Sequence, residues 1–349
     1  MIPYIIFIIL ILAFYYKKSP IGMLIVIIAF SVLRYDTGWD YMMYVDTVNN
    51  PKFWNNPEHS RYSFIWRELF RYAHALNFPH IAIALPNLIT YLVLYFSLDV
   101  LGLDKTRKVQ VLFVYVTWQG FYLDSFSIIR QAIAMSFGIL TFALIQRHRL
   151  FASIVTFLIA VHLHSSAVVL IFLYLGYFYR KKLDFKHICI AAGVAIVCMI
   201  SAGAVLEQLS FFDMSKYDVY LKMNDSFGGK IIFVYLILAM YLLFVYRSYK
   251  RWNDIERQCF FYSVVSMVGC VGVFSVGVSS VFTRIFSYYI IFMIFILLPS
   301  LRIFRERKFL INLAVLILVS YFFVYLSISE AGTKLSSSGL VPYKCVLIQ

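Results

Sequence analysis

The run "FASIVTFLIAVHLHSSAVVLIFLYLGYFY" (residues 151–179) decides how the rest of the chain is read. As one straight helix it would be about 43 Å long at 1.5 Å per residue. A hydrocarbon core is only about 30 Å thick. The polar interruption is "HLHSS", His162 to Ser166, and a break there predicts two short spans, 150–163 and 165–179. The break also decides the side of the membrane on which every later loop falls.

Composition sets the frame. The chain has 349 residues, 62% hydrophobic and 14% charged. A soluble domain carries about a quarter charged residues, so the sequence reads as an all-α, polytopic integral membrane protein. Candidate spans are 1–16, 20–34, 80–100, 108–123, 127–146, 150–163, 165–179, 188–205, 230–247, 258–277, 284–301 and 309–328, about twelve in all. The first is read as a retained helix, because it lacks a basic leader and a small-residue cleavage site.

Charge tests the break. With it, the basic loops 17–19, 101–108, 146–149, 180–187, 247–257 and 302–308 share one side and hold most of the 31 Lys and Arg. Without it, "RKKLDFKH", "RSYKRWNDIER" and "RIFRERK" change sides and the asymmetry disappears. The positive-inside rule therefore favours twelve spans with both termini outside. The same rule accounts for the net charge of +14 without nucleic acid. No Cys-x-x-Cys pair occurs among the five cysteines, so neither a disulfide framework nor a thiolate metal site is indicated.

The chain then reads as a single transmembrane domain over 1–349, with outer loops at 35–79 and 206–229. Within the first loop, Phe64 to Leu76 has helical period. Ile65, Leu69, Ala73 and Leu76 form one face, and Arg67, Arg71 and His74 another. That pattern predicts a helix lying in the interface, its cationic groups turned to anionic lipid head groups.

Charged groups at membrane depth are costly unless they are paired or functional. The predicted topology gathers such groups on the outer face. They are Arg34 with Asp36 and Asp40 in "RYDTGWDYMMY", Arg130 in "SIIRQAIA", His162 and His164 in "VHLHSS", and Arg284 in "VFTRIFSYY". A guanidinium grips phosphate oxygens bidentately and stays charged. Converging Arg34, Arg130 and Arg284 would suit a pyrophosphate. Snorkelling or local pairing is the plainer account of each alone. His162 and His164 lie two apart, which is not the i, i+4 spacing of a helical metal pair. An imidazole there is either structural or a proton carrier. Asp36 and Asp40 would stack if helical, and Gly38 between them permits a tight turn or close substrate approach. No Gly-rich phosphate loop, nucleophile elbow or zinc pair is present.

In order, "VLRYDTGWDYMMY", "IIRQAIAMSFGIL", "LHSSAVVL", "TRIFSYYIIFMIFILLP" and "VPYKCVL" resemble the motifs of EpsG-like, Wzy-type polysaccharide polymerases along nearly the whole chain. One departure is "HSRYSFIW", which stands where an acidic residue and a glycine are often found. The resemblance implies a helical bundle similar to GT-C-type glycosyltransferases in the bacterial inner membrane. It implies transfer of a growing glycan from undecaprenyl pyrophosphate to the non-reducing end of a new lipid-linked repeat unit. It singles out His164, rather than His162, as a catalytic candidate beside Asp40 and Asp36. Arg34, Arg130 and Arg284 become pyrophosphate ligands, and Gly38, Tyr41, Tyr44, Gln131, Tyr288 and Tyr343 further site residues. No cofactor or metal is expected. Expected partners are undecaprenyl-pyrophosphate-linked oligosaccharides, membrane lipids, a chain-length regulator and a flippase. A flippase or an O-antigen ligase is the competing reading, although a transporter often shows repeated halves and none is evident.

Overall fold

The computed structural model describes residues 1–56, 62–118, 121–179, 252–275, 280–303, 306–331 and 339–348, with residues 186 and 190. Spans expected at 188–205 and 230–247, and the loop 206–229, lie outside these residues. The chain divides into two compact units, Met1–Val168 with Phe304–Gln349, and Val169–Ile303.

The first unit is a helical bundle. Helix α1 (Ile2–Tyr16) begins with a proline in its first turn, where the missing N–H costs nothing. A tight turn with Lys18 in the left-handed region (φ 52°) leads to α2 (Pro20–Val32), capped by the Ser19 hydroxyl. Next come α3 (Asp40–Asn49), α4 (Phe64–Ala75), α5 (Ile81–Val100), α6 (Lys105–Thr117), α7 (Phe121–Asp124), α8 (Ile129–Gln146) and α9 (Leu150–Leu163). Helix α8 is buried on nearly every face, packed between α5 and α9. After the second unit, α13 (Arg307–Ala331) returns to the first. A two-residue strand β1 (Arg34–Tyr35) pairs antiparallel with β2 (Lys344–Cys345), Arg34 opposite Cys345 and Tyr35 opposite Lys344.

Among the described residues, three helical stretches are long and apolar enough to cross a bilayer: Ile81–Val100, Ile129–Gln146 and Arg307–Ser327. Shorter apolar helices include Ile2–Tyr16, Pro20–Val32 and Leu150–Leu163. The protein is an all-α membrane protein.

Alternation of the helices builds two chemically different ends. At one, Arg147 Nε donates to Val100 O at 2.7 Å and Lys108 pairs with Asp99. Lys105 and Arg107 in the first turn of α6, and Arg149 before α9, lie at the same end. At the other, here called the polar end, lie the tips of α2, α5, α7, α8, α9 and α13 and the β1–β2 ribbon. Contacts that tie them include His80–Val32, Arg34–Phe126, Trp39–Ser127, Trp66–Leu163 and Tyr325–Asp124.

The interruption at "HLHSS" is real. Helix α9 stops at Leu163, His164 is extended (φ −153°, ψ 117°), and a 3₁₀ turn covers Ser165–Ile171 before α10 (Phe172–Tyr179). The division between the two units falls within that turn.

The second unit, taken by itself, contains α10, α11 (Asp254–Ser275) and α12 (Ser280–Ile290). Asn253 and Glu256 exchange hydrogen bonds at 2.8 and 3.1 Å, a reciprocal cap at the start of α11. Gly176 lies against Tyr262, whose hydroxyl occupies the place a Cβ would take. The span expected at 284–301 is only in part α-helical. Beyond Ile290 it tightens to 3₁₀ over Ile291–Phe295 and again over Pro299–Ile303. Branched isoleucines crowd the preceding turn, and Pro299 has no N–H for an α-helical bond.

Candidate functional site

The polar end of the first unit carries two arrangements of predicted site residues. The first is a ledge around Arg34, which follows the end of α2 and enters β1. Its guanidinium donates to Ser31 O and Oγ (3.2 and 3.0 Å) and to Phe126 O (3.4 Å), and lies 4.2 Å over the Phe126 ring. The side chain is 0% exposed, and its Nε has no hydrogen-bond partner. Among the described residues no carboxylate reaches it. Burial lowers its pKa. A guanidinium still stays charged at neutral pH, so carbonyl dipoles and the ring face hold the charge. Tyr91 extends the network, its hydroxyl 3.2 Å from Ser31 Oγ and 2.7 Å from Ser125 Oγ.

The turn after β1 explains the rest of "RYDTGWDYMMY". Asp36 has φ 39° and Gly38 φ 94°. A Cβ on Gly38 would fall 2.3 Å from Phe126 O, so close approach of backbones, as well as the turn, requires glycine. Gly38 N donates to Gly339 O (2.8 Å), and Trp39 N to Ser127 Oγ (3.1 Å). The two aspartates do not stack on a helix: α3 begins at Asp40, and Asp36 stays in the turn, paired with Lys344. Tyr343 stacks on Phe30 at 4.1 Å and donates to Phe30 O (2.7 Å).

The second arrangement is an aromatic corner of α3, α4, α8 and the end of α9. Arg130, in the first turn of α8, is half-buried, 5.1 Å over the Tyr62 ring and beside the Tyr44 hydroxyl. Tyr44 is fully buried. Its phenol pKa is raised by that burial, with the Arg130 charge pulling the other way and Asp40 adding to the rise. Its ring meets the edges of Trp66 and Phe70, each at 5.8 Å. Trp66 Nε1 donates to Leu163 O (3.0 Å), the residue before His164. His164 is half-buried with Nδ1 2.6 Å from Ser166 Oγ, whereas His162 is exposed. Gln131 is buried beside Arg130 in sequence.

Helix α4 forms where its period predicts, but it turns a different face inward. Trp66, Phe70 and Ala73 are buried, while Ile65 and Leu76 are exposed. The apolar arc is wider than one contact can use, and the aromatic half buries more area. Arg71 is held by Glu68 at 2.7 Å.

Two residues at this end were not singled out by the sequence. His80, just before α5, lies between Tyr41 OH (2.9 Å from Nδ1) and Val32 O (2.7 Å from Nε2). A carbonyl only accepts, so Nε2 carries the proton and Nδ1 accepts from Tyr41. Burial lowers the His80 pKa and favours this neutral form. Asp124 is shut in at the end of α7 and accepts from Tyr325 OH (2.5 Å); burial raises its pKa to about 6. A lone acid inside "FYLDSFSIIR" was the available signal.

Arg284 lies in α12 and Tyr288 one turn later is buried, both in the second unit. Among the described residues no group of His, Cys, Asp and Glu could hold a metal ion.

A polytopic helical membrane protein with ionisable and aromatic residues gathered at one end is the class these features define. The EpsG family model matches residues 19–345, and the chain belongs to that family, of polysaccharide polymerase-like membrane proteins. No curated protein and no solved structure matches it.

Proposed function

We propose that this protein polymerises lipid-linked glycan repeat units on the outer face of the bacterial inner membrane. The growing glycan leaves undecaprenyl pyrophosphate and joins the non-reducing end of a new undecaprenyl-pyrophosphate-linked unit. The polar end faces outward, in a twelve-span bundle of GT-C-like form. Family membership over 19–345 supports the reaction class. The observation that carries the residue assignment is the corner itself: one half-exposed arginine, backed by aromatics, joined through Trp66 to the segment that carries His164.

The acceptor hydroxyl oxygen attacks the anomeric carbon of the donor sugar. The bond from that carbon to the pyrophosphate oxygen breaks, and its electron pair leaves with the pyrophosphate. The hydroxyl proton passes to a base, His164 or Asp40. Arg130 meets the charge developing on the leaving group, and the family resemblance makes Arg284 a further candidate for that role. Attack in one step inverts the anomeric centre. Activation is stored in the pyrophosphate, so neither ATP nor a nucleotide sugar is needed. Arg34 and Asp36, spent on Phe126, Ser31 and Lys344, position the α3 turn. Chain-length control belongs to a separate membrane partner.

The test uses purified protein in liposomes with synthetic undecaprenyl-pyrophosphate repeat units and EDTA, without nucleotides. A ladder of longer glycans that disappears in Arg130→Ala and Arg284→Ala is the expected result. Movement of the unit between leaflets with no ladder would replace the polymerase by a flippase.

A further inference from the structure

An apolar cavity of about 700 Å³ lies between α1 and α2, outside the corner. Ile6 and Leu10 of α1, and Val26 and Ala29 of α2, line it, and Tyr343 to Cys345 of the β2 segment close its upper edge. Its size is that of a ligand site, which typically spans about 300–1,000 Å³. Its lining is apolar and partly exposed, through Ile6, Leu10 and Ile25. In a bilayer such a groove fills with hydrocarbon. Lipid tails are as apolar as leucine, so the walls alone select nothing. Selection must come from the mouth.

The mouth is polar. Tyr35 and Lys344 both belong to the lining, and the Lys344 side chain is 47% exposed although it pairs with Asp36. An ammonium of this kind binds phosphate as a point charge. Strand β1 runs from this mouth through the Gly38 turn into α3, which carries Asp40 and Tyr44 to the corner.

Polymerisation needs two lipid-linked molecules at once. The donor's pyrophosphate is the leaving group and must sit at the catalytic arginines. The acceptor reacts at its far, non-reducing end. Its own pyrophosphate is a bystander and needs an anchor elsewhere. We propose that the α1–α2 groove holds the polyprenyl chain of the acceptor, with Lys344 meeting its pyrophosphate and its sugars passing along α3. The identity of the lipid rests on the polymerase reading.

A repeat unit on a photoreactive polyprenyl pyrophosphate tests this. Crosslinked peptides are mapped, and ladder growth is measured against unit concentration. The expected result is labelling of α1 and α2, competed by unlabelled unit and not by phosphatidylglycerol vesicles. Ala29→Trp, which fills the groove, and Lys344→Gln, which removes the charge but keeps a hydrogen-bond donor for Asp36, should each raise the half-saturating acceptor concentration about ten-fold. Rate at saturation should hold. Equal competition by phosphatidylglycerol, or unchanged half-saturation in Lys344→Gln, would overturn the groove assignment. A ladder without groove labelling removes the groove and leaves the polymerase. Competed groove labelling without any ladder removes the polymerase and leaves the lipid site.

Discussion

Arg34 and Arg130 are the same side chain at the same end of the same unit, each next to a helix terminus. The protein encloses the first and leaves the second half open. Around Arg34, carbonyls of Ser31 and Phe126 and the face of Phe126 take up the guanidinium, with no route to solvent. Around Arg130, Tyr62 and Tyr44 give one aromatic wall, and among the described residues no carboxylate pairs with the half-exposed fork. A buried charge held by dipoles organises a fold. A charge with one side free is the kind that meets a ligand. Residue type does not separate these roles; what surrounds the fork does.

The strongest test of this contrast is Arg130→Ala. Loss of one preorganised donor to a developing anion costs about 10²–10³ in rate, so polymer should fall at least 100-fold while melting in detergent hardly moves. Arg130→Lys should stay low as well, because the fork and the stacking on Tyr62 are lost. Near-normal ladders from either variant would take Arg130 out of the site. Gly38→Ala should show the opposite pattern. Its Cβ meets Phe126 O and its φ is left-handed, so several kcal/mol of stability should go. Folded protein should fall first, and activity only in proportion.

Arg34→Lys sharpens the comparison most directly. As a ledge residue it should lower the melting temperature, about 2–3 kcal/mol, with activity per folded molecule near normal. Loss of activity at an unchanged melting temperature would return Arg34 to the phosphate.

The sequence carried the helices near 1–16, 20–34, 80–100, 127–146, 150–163 and 309–328, the break within His162 to Ser166 and the existence of α4, because each rests on apolar periodicity or on length against bilayer thickness. It could not choose the inward face of α4, since apolar residues cover more of that helix than one contact uses. Nor could it pair Arg34–Tyr35 with Lys344–Cys345, two-residue strands from opposite ends of the chain. His80 was missed because a lone histidine before a helix has no pattern; its role exists only through Tyr41 and Val32.

Asp124 tests how tightly the ledge side is shut. Its pKa is raised to about 6, from 3.8, chiefly by burial. The folded state therefore holds the proton more tightly than the unfolded chain. The stabilising effect is complete below the unfolded value and is lost as pH rises through about 6. The expected fall is on the order of 2–3 kcal/mol, read as melting temperature from pH 4 to 8. Asp124→Asn keeps an acceptor for Tyr325 and should flatten that profile. A flat wild-type profile would mean that water reaches the carboxylate.

Tyr343→Phe is the smallest effect. Its hydroxyl donates to Phe30 O while its ring stacks on Phe30. Phenylalanine keeps the stacking and loses one hydrogen bond, about 0.5–1.5 kcal/mol net. If Tyr343 only fastens the β2 segment over α2, the variant melts slightly earlier and makes ladders at the normal rate per molecule. If its hydroxyl instead orders the lipid at the groove mouth, the half-saturating acceptor concentration rises while melting is unchanged. The pair of readouts separates a fastening residue from a ligand-contacting one, which is the distinction drawn between Arg34 and Arg130.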